Sequence, residues 1–360
     1  MRVVVAPDCF TGTLTAAAAA DAMAEGWLTA RPSDELVRLP LSDGGPGFLD
    51  SLPGARISVL VEDPLARPVV AEFLLDGTTA YVESAQACGL HLLELLERDP
   101  AVTTTYGVGQ LVNAAVDAGA TRVVVGLGGS ATNDGGAGLL AALGVRREDM
   151  NGQRSAPGGL ALSGVARLLG VPRSVELVAA TDVDNPLLGP HGATKVFATQ
   201  KGATDLDALE NALTHWADLV EQHLVVRVRE APGAGAAGGL GFALLALGAR
   251  HVSGVQVVAE ALSLSQAVAS ADLVLTGEGS FDVSSLRGKV VAGVAAAAQA
   301  EGVPCVVVAG RVEVGERQAA AAGVDASYSL VETVGPERAL AAPAASLASV
   351  VAHIAGQWGR

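Results

Sequence analysis

The first fifteen residues, MRVVVAPDCFTGTLT (Met1–Thr15), predict the start of a parallel α/β fold. The apolar run Val3–Ala6 is typical of a short buried strand, and the proline, acid and glycine that follow cannot continue it. The alanine-rich stretch after them predicts a helix capped by Thr13 or Thr15. A strand that ends in a polar loop before a helix is where parallel α/β proteins bind their ligands. The alternative is an ordinary strand-to-helix turn.

The composition is that of a large globular protein without a nucleic-acid or membrane partner. The chain has 360 residues, half of them apolar and few of them aromatic, which favours two domains with helices packed on a parallel sheet. The formal net charge of −15 argues against binding to nucleic acid or to an anionic membrane surface. Cys9, Cys88 and Cys305 contain no CxxC pair, so the sequence predicts neither a disulfide framework nor a zinc site and favours the cytoplasm.

The alternation of strand-like and helix-like segments predicts two α/β domains. Strands and helices alternate at both ends of the chain, which predicts an open, doubly wound, flavodoxin- or Rossmann-like parallel sheet. Short alternating segments after the second strand predict an antiparallel ribbon that begins a second, inserted α/β domain. The predicted domains are 1–54 with 255–360 and the insertion 55–254. The predicted strands of the first domain are 3–6, 35–41, 272–276, 305–309 and 326–330; its predicted helices include 257–270, 289–301 and 316–322.

Four acidic residues follow predicted strands, at the edge where such a sheet binds ligands. Asp8 follows the first strand, Asp43 the second, and Glu278 and Asp282 the third. A single acid in a loop is usually a helix cap or part of a solvated turn. Four acids at one edge favour a metal or phosphate site.

A glycine-rich loop, GGSATNDGGAG (Gly128–Gly138), lies between the predicted strand 122–126 and an apolar helix. Adjacent glycines allow backbone N–H groups to face an anion, and the helix N-terminus adds partial positive charge. Ser130, Asn133 and Asp134 could then contact hydroxyl or carboxylate groups. The alternative is a strand-to-helix turn in which Asn133 or Asp134 caps the helix.

Two further segments contain charged residues that could take part in chemistry. In ATDVDNPLLGPHGAT (Ala180–Thr194), Asp182 and Asp184 are two residues apart after a predicted strand, a spacing suited to Mg²⁺ or to accepting a hydroxyl proton. The alternative is an Asx-turn before a proline. Lys201 is a possible cation for a phosphate or carboxylate, although an isolated lysine is by default only solvated.

Two glycine-containing segments were compared with known nucleotide-binding motifs, and neither matches one fully. Gly233-x-Gly235-x-x-Gly238 has the register of a dinucleotide fingerprint but does not follow a predicted strand, so it is weak support for an NAD-dependent oxidoreductase. The segment TGEGSFDVSSLRGK lacks P-loop spacing. Its Lys289 begins a predicted helix, where a lysine opposes the helix dipole, and a function for its charge would explain this position.

Taken together, these motifs resemble the class I glycerate kinases, an α/β family unrelated to the P-loop kinases. The resemblance covers nearly the whole chain, in family order. The segments that carry it are VVVAPDCFTGTLT, LPLSDGGPG, ESAQACGL, TTTYGVGQLV, GLGGSATNDGGAGLLAALG, ATDVDNPLLGPHGAT, FATQKGAT, PGAGAAGGLG and TGEGSFD followed by GK.

This resemblance implies ATP- and Mg²⁺-dependent phosphorylation of D-glycerate or a close hydroxy acid, usually at the 2-hydroxyl, by a monomer or homodimer. Phosphoryl transfer requires cations, a metal and a carboxylate that accepts the hydroxyl proton. The leading hypothesis therefore assigns four kinds of role. The catalytic residues are Asp43, Asp184 and Lys289; the substrate-binding residues are Asp8, Ser130, Asn133, Asp134 and Lys201; the nucleotide-binding residues are Gly277, Glu278, Gly279 and Lys289; and the metal ligands are Asp184 and Asp282.

The chain departs from the family pattern at four places. Thr11 stands where the family has lysine, Cys9 where it has serine, Pro46 where it has glutamate, and Ser284-Ser285 where it has Gln-Thr. The first and third changes remove a cation and a carboxylate from the first two strand ends. They motivate a second hypothesis, a paralogue that binds a small acid or nucleotide without efficient catalysis.

Overall fold

The computed structural model describes residues 1–10, 12–286 and 289–358, which form two compact units. Unit 1 contains the described residues of Met1–Asp43 and Asp50–Leu52 and those from Ser253 onward. Unit 2 contains Gly44–Leu49 and Pro53–Val252.

The described strands and helices alternate along much of the chain. The strands are β1 Arg2–Val5, β2 Glu35–Arg38, β3 Ala55–Glu62, β4 Pro68–Asp76, β5 Thr79–Glu83, β6 Arg122–Gly126, β7 Arg146–Glu148, β8 Arg167–Leu169, β9 Glu176–Ala180, β10 Arg250–Val252, β11 Leu273–Thr276, β12 Ser280–Phe281, β13 Cys305–Ala309, β14 Arg311–Val312 and β15 Ala326–Ser329. The α-helices are α1 Ala16–Ala30, α2 Ala85–Cys88, α3 Tyr106–Asp117, α4 Ala137–Ala142, α5 Ala193–Phe197, α6 Leu206–Leu224, α7 Ala236–Ala246, α8 Gly254–Ala261, α9 Leu264–Ala269, α10 Val290–Glu301, α11 Glu316–Ala321, α12 Leu330–Val334, α13 Pro336–Ala341 and α14 Pro343–Gln357.

Unit 1 is built on a five-stranded sheet in the order β2-β1-β11-β13-β15, and every neighbouring pair is parallel. Counted along the chain this order is 2-1-3-4-5, the flavodoxin-like arrangement, in which the direction of strand addition reverses between the first and third strands. The predicted α/β fold class with a doubly wound parallel sheet is confirmed. Ligands of such sheets bind beyond the carboxyl ends of the strands at this switch point, here the loops after β1 and β11.

Helices cover both faces of this sheet. Val3, Val5 and Leu275 are completely buried on one face, against α1 and α14. Side chains alternate along a strand, so the intervening residues point to the opposite face, and α10 packs on β11 and β13. Of the two predicted caps of α1, Thr15 is the one observed, and its hydroxyl accepts the N–H of Ala18 at 3.1 Å.

Unit 2 is built on a six-stranded mixed sheet in the order β10-β9-β6-β5-β4-β3. The strands β3, β4 and β5 are antiparallel, which confirms the predicted ribbon, whereas β5, β6, β9 and β10 are parallel. Its core includes the fully buried side chains of Phe73, Leu139, Trp216 and Phe242. Among the helices that the structure describes, none is long and apolar enough to cross a membrane.

The prediction of one helix over 257–270 is wrong. The segment forms α8 and α9, because Ser263 between them has a left-handed backbone with φ of 54°. The apolar pattern continues across this break, and periodicity alone therefore could not locate it. In unit 2, α7 begins at Ala236, and its first turn is irregular through Gly239.

Candidate functional site

In unit 1, hydrogen bonds fix the ends of β1 and β11 to each other at the switch point. The N–H of Asp8 donates to the carbonyl of Gly277 at 2.8 Å, and the hydroxyl of Thr276 donates to the carbonyl of Ala6 at 2.7 Å. A Cβ at Gly277 would lie 2.0 Å from the carbonyl oxygen of Val308, so only glycine fits this close approach. The backbone before Glu278 is therefore held rigidly beside the Asp8 loop.

Glu278 is a buried carboxyl group with an unsatisfied oxygen. The residue is only 8% exposed, and its Oε1 has no hydrogen-bond partner within the described part of the chain. Burial raises the pKa of Glu278 to about 7, with further increases from the charges of Asp8 and Asp282; the Ser285 hydroxyl and Lys289 oppose the shift. Such a carboxyl can exchange a proton near neutral pH.

Asp8 is the second acid at the switch point. Its Oδ1 accepts the N–H of Cys9 at 2.6 Å. Burial and the nearby charge of Asp43 raise the pKa of Asp8 to about 6, against the opposing effects of the Cys9 bonds and Lys289. The charge of Asp43 thus acts on Asp8, and the charge of Asp8 acts on Glu278, so these three predicted acids lie near one another.

The turn after β12 holds Asp282 in its ionised form. Its Oδ1 accepts the N–H of Ser284 at 2.6 Å, while its own N–H donates to the hydroxyl of Ser285 at 3.1 Å. The hydrogen bonds from Ser284 lower the pKa of Asp282. The serine pair that departs from the family pattern therefore shapes the turn around this carboxylate.

Lys289 is the residue that immediately precedes α10, and it is half-buried. Its positive charge limits the rise in the pKa values of Asp8 and Glu278 and contributes to the lowered pKa of Asp282. Three surrounding carboxyl groups offset the unfavourable position of a lysine at a helix N-terminus. Half-buried Gly279 completes the loop, and its carbonyl accepts the N–H of Arg311 at 3.1 Å.

In unit 2, Lys201 is buried and holds the glycine-rich loop. The residue is 3% exposed, and its Nζ donates to the hydroxyl of Ser130 at 2.9 Å and to the carbonyl of Thr132 at 2.8 Å. Burial lowers the pKa of Lys201 to about 8, although the negative charge of Asp134 opposes the shift. The simple alternative of a solvated lysine is excluded by this burial.

Asp134 binds backbone atoms of its own loop and of the segment before α3. Its carboxylate accepts the N–H groups of Thr105 at 2.9 Å, Gly136 at 3.1 Å and Gly138 at 3.1 Å, together with the Thr105 hydroxyl at 3.0 Å. Asp134 is completely buried. These contacts favour a role in fixing the loop, and its assignment as a substrate ligand remains a prediction.

Asn133 is completely buried beside Asp134 and is only partly satisfied. Its Nδ2 donates to the hydroxyl of Thr194 at 3.1 Å, whereas its Oδ1 has no hydrogen-bond partner among the described residues. Sequence reasoning did not single out Thr105 or Thr194. Both lie in the quoted motifs, and a buried threonine beside a helix start is the signal that could have indicated them.

The loop is also held from the side of α7. A Cβ at Gly238 would lie 1.9 Å from the carbonyl oxygen of Thr132, the acceptor of Lys201, and Gly238 has a φ of 67°. The fingerprint glycines Gly233 and Gly235 follow a turn, without a strand directly before them in the described chain, and the N–H of Gly235 donates to the carbonyl of Asn185. This context is that of packing glycines and differs from that of a dinucleotide fingerprint.

We expect Gly238→Ala to lower the free energy of unfolding by about 3 kcal/mol or more, because the new methyl group combines backbone strain with overlap. Gly248→Ala is the matched control, since Gly248 has a φ of 86° but no atom within 4 Å of the place where the methyl group would lie. We expect the control to cost about 1 kcal/mol. Equal losses in urea unfolding would contradict the assigned close contact.

The remaining predicted residues lie outside these contacts. Asp184 follows β9 in unit 2 and is exposed. Pro46 is exposed, and its ring lies over Gly129, where a Cβ would come within 2.7 Å of its Cγ. Thr11 lies outside the described residues.

No group of three or more His, Cys, Asp or Glu side chains could hold a metal ion by itself within the described ranges. Mg²⁺ in kinases is commonly bound by one or two carboxylates together with substrate phosphates. Asp282, whose pKa is lowered and which is half-buried, has the character of such a ligand.

The family model and the similar proteins described here all name the same family. The sequence model of the glycerate kinase family matches residues 3–359. The chain is 45% identical over 350 residues to a glycerate kinase of Bacillus subtilis, covering 93% of this chain and 92% of the relative. It is 40% identical over 349 residues to a glycerate 2-kinase of Escherichia coli, with the same coverage.

A solved structure shows the same fold along the whole chain. It belongs to a protein named as a candidate glycerate kinase 2 of Salmonella typhimurium LT2, with 37% sequence identity and a TM-score of 0.85. The match covers 99% of this chain and 98% of the other. The resemblance seen in the sequence motifs is confirmed: the chain belongs to the glycerate kinase family, and it is a kinase.

Proposed function

We propose that this protein transfers the γ-phosphoryl group of ATP to the 2-hydroxyl of D-glycerate in a Mg²⁺-dependent reaction. The observation that carries the proposal is the cluster of Asp8, Asp43, Glu278, Asp282 and Lys289 at the switch point of unit 1. Phosphoryl transfer is catalysed mainly by positioning and by charge stabilisation, which such a cluster supplies. The name of the Escherichia coli relative supports the 2-hydroxyl as acceptor.

In this proposal, unit 1 binds the phosphate groups. Lys289 and the N–H groups at the start of α10 provide positive charge for them, and Gly277, Glu278 and Gly279 are the proposed backbone contacts. Asp282 is the carboxylate of unit 1 that would bind Mg²⁺, which when bound neutralises charge on the transferred phosphoryl group. Asp43 and Asp184 remain candidates for catalytic and metal contacts.

Unit 2 has the complementary chemistry for a hydroxy acid. Two of the three N–H groups of Lys201 are bonded to Ser130 and Thr132, which leaves one for a carboxylate oxygen. The Ser130 hydroxyl accepts from Lys201 and can donate its own hydrogen. The Oδ1 of Asn133 can accept a hydrogen bond from a substrate hydroxyl, and this bond would satisfy the buried oxygen.

A coupled ADP-release assay tests this function with three acceptors. We expect Mg·ATP turnover with D-glycerate, slower turnover with L-glycerate, and no turnover with glycerol, which lacks the carboxylate that Lys201 would bind. Lys289→Met should abolish the glycerate signal. Equal turnover of glycerol and glycerate would contradict the carboxylate assignment, and stabilisation by Mg·ATP and glycerate without product would instead favour a non-catalytic paralogue.

No observation favours an oxidoreductase. Its support was the glycine register at Gly233, and those glycines serve packing: Gly233 lies against the ring of His251, Gly235 against the carbonyl of Asn185 and Gly238 against the carbonyl of Thr132. The family match and the named relatives are kinases.

A further inference from the structure

We propose that two copies of this protein associate through β3, whose outer edge pairs antiparallel with β3 of the second copy. The proposal concerns assembly and does not depend on the proposed phosphoryl transfer. The family resemblance implies a monomer or a homodimer, and the features of β3 favour the homodimer.

β3 is a long and unprotected edge of the six-stranded sheet in unit 2. It is the last strand in the sheet order, and within the described chain it pairs with β4 alone. It has eight residues, whereas β10 at the opposite edge has three. Edge strands of monomeric proteins are usually short or contain a charge or a proline that prevents pairing with another chain. Residues 57–61 of β3 contain neither a charge nor a proline, so this edge can accept another strand.

The alternation of backbone hydrogen bonds shows which residues of β3 can bind a further strand. In the turn that joins β3 to β4, the N–H of Asp63 donates to the carbonyl of Arg67 at 2.8 Å. Bonding in an antiparallel ladder alternates from residue to residue, so the odd-numbered residues of β3 bond to β4. The N–H of Glu62 accordingly points away from β4 and donates to a side chain of α3 at 2.7 Å. The N–H and carbonyl groups of Ser58 and Leu60 face the same open side.

Ser58 and Leu60 are accessible to a second copy. Both residues are exposed, and Leu60 is 71% exposed. Val70 lies directly opposite Leu60 in β4 and is 66% exposed. The side chains of Leu60 and Val70 form an apolar patch beside the open backbone groups, and a strand placed along the edge would cover part of this patch.

The layer between the sheet and α3 is also open at β3. Ile57 and Val59 pack on the core of unit 2 but are only half-buried, whereas Phe73, opposite Ile57 in β4, is completely buried. Ala114 of α3 is likewise half-buried against the same core. A second copy beside β3 would continue this apolar layer, and the burial of these side chains would stabilise the association.

The open backbone groups match when two β3 strands are antiparallel about Val59. In this register the two Val59 residues lie opposite each other, and Ser58 of each copy lies opposite Leu60 of the other. Each Ser58–Leu60 pair then exchanges both of its N–H···O bonds, because the backbone groups of both residues point outward. The register therefore uses the groups that the alternation along β3 leaves open.

The side chains of β3 are complementary in the same register. On the core side, Ile57 lies opposite Val61 of the second copy, so the apolar row continues across the interface. At both ends, Arg56 lies opposite Glu62 of the second copy, which places opposite charges together. Arg56 also pairs with Glu72 in its own ribbon, and its side chain is 42% exposed. A two-fold interface uses the same surface on both copies, so assembly stops at a dimer.

The first test is sedimentation of the full chain over a range of concentrations. We expect the wild-type protein to shift from the mass of one chain to that of two as the concentration is raised. Leu60→Pro removes an N–H that does not bond to β4, so the ribbon stays intact while each copy loses one interface donor. We expect this variant to raise the dissociation constant of the dimer by about tenfold or more. Leu60→Ala is the matched control, because it removes the same side chain but keeps the N–H, and we expect a smaller effect.

Disulfide cross-linking tests the register without removing a backbone bond. In the proposed register the two Val59 residues form a non-hydrogen-bonded pair with Cα atoms about 4.5 Å apart, which a disulfide can span. Val59→Cys should therefore give a covalent dimer in mildly oxidising buffer. Ile57→Cys is the matched control, because the two Ile57 residues would be offset by about 13 Å along the strands. The wild-type protein controls for Cys9, Cys88 and Cys305.

Three outcomes would overturn the proposal. The first is a wild-type mass of one chain at every concentration, and the second is an assembly that keeps growing beyond two chains. The third is a dimer that survives Leu60→Pro and cross-links no faster through Val59→Cys than through Ile57→Cys, because the copies would then meet elsewhere. If circular dichroism shows that Leu60→Pro does not fold, the two cysteine variants decide, and equal cross-linking rates reject the proposal.

Discussion

Asp134→Asn is expected to lower the free energy of unfolding by about 3–5 kcal/mol. The carboxylate accepts three backbone N–H groups and one hydroxyl, all in a completely buried site. Asparagine keeps the shape but replaces one acceptor oxygen with an NH₂ group that faces N–H donors. At least one backbone donor of Thr105, Gly136 or Gly138 then has no acceptor.

The matched control is Asp205→Asn. Asp205 caps α6 through one bond to the N–H of Ala208 at 2.9 Å and is exposed, so we expect a loss of about 1 kcal/mol or less. Urea unfolding followed by circular dichroism measures both variants. Similar small losses for the two would show that the Asp134 contacts do not hold the loop.

Lys201→Met is expected to lower kcat/KM for glycerate by about 100-fold, mainly through KM. The loss of its bonds to Ser130 and Thr132 should also lower the free energy of unfolding, by about 1–3 kcal/mol. Methionine has a similar length and removes a buried charge, which limits the effect on stability. The lost interaction is the charged hydrogen bond that we propose to the substrate carboxylate. Lys195→Met is the control, because Lys195 is paired with Asp207 at the surface.

The pH dependence of KM tests whether the positive charge of Lys201 binds the substrate carboxylate. The pKa of Lys201 is lowered to about 8, so the lysine is positive below that pH and becomes neutral above it. We therefore expect the wild-type KM for glycerate to rise as the pH passes about 8, and the KM of Lys201→Met to be high at every pH. A wild-type KM that stays flat through this range would contradict carboxylate binding by Lys201.

The sheet of unit 1 could be predicted from local sequence patterns. The run Val3–Ala6 is short and is followed at once by a proline, which favours a buried strand over a helix, and the alternation with helices restricts the topology to a few choices. The break between α8 and α9 could not be predicted, because it depends on the left-handed backbone of Ser263.

The chemistry of the site residues depends on contacts that are distant in the sequence. Lys201 is indistinguishable from a solvated lysine until its bond to Ser130, 71 residues away, is seen. Likewise, the sequence does not show that Asp134 accepts a hydrogen bond from Thr105, because the two residues are 29 positions apart. Glu278 was recognised as a site residue, but its unsatisfied oxygen is a property of the folded loop alone.

The most direct test of the central proposal is phosphorus NMR of the product formed from Mg·ATP and D-glycerate by the purified protein. In 2-phosphoglycerate the phosphorus couples through three bonds to one hydrogen, and in 3-phosphoglycerate it couples to two. We predict a new phosphomonoester signal that is a doublet and that requires both ATP and glycerate. A triplet would contradict transfer to the 2-hydroxyl, and the absence of any new phosphomonoester would contradict glycerate phosphorylation itself.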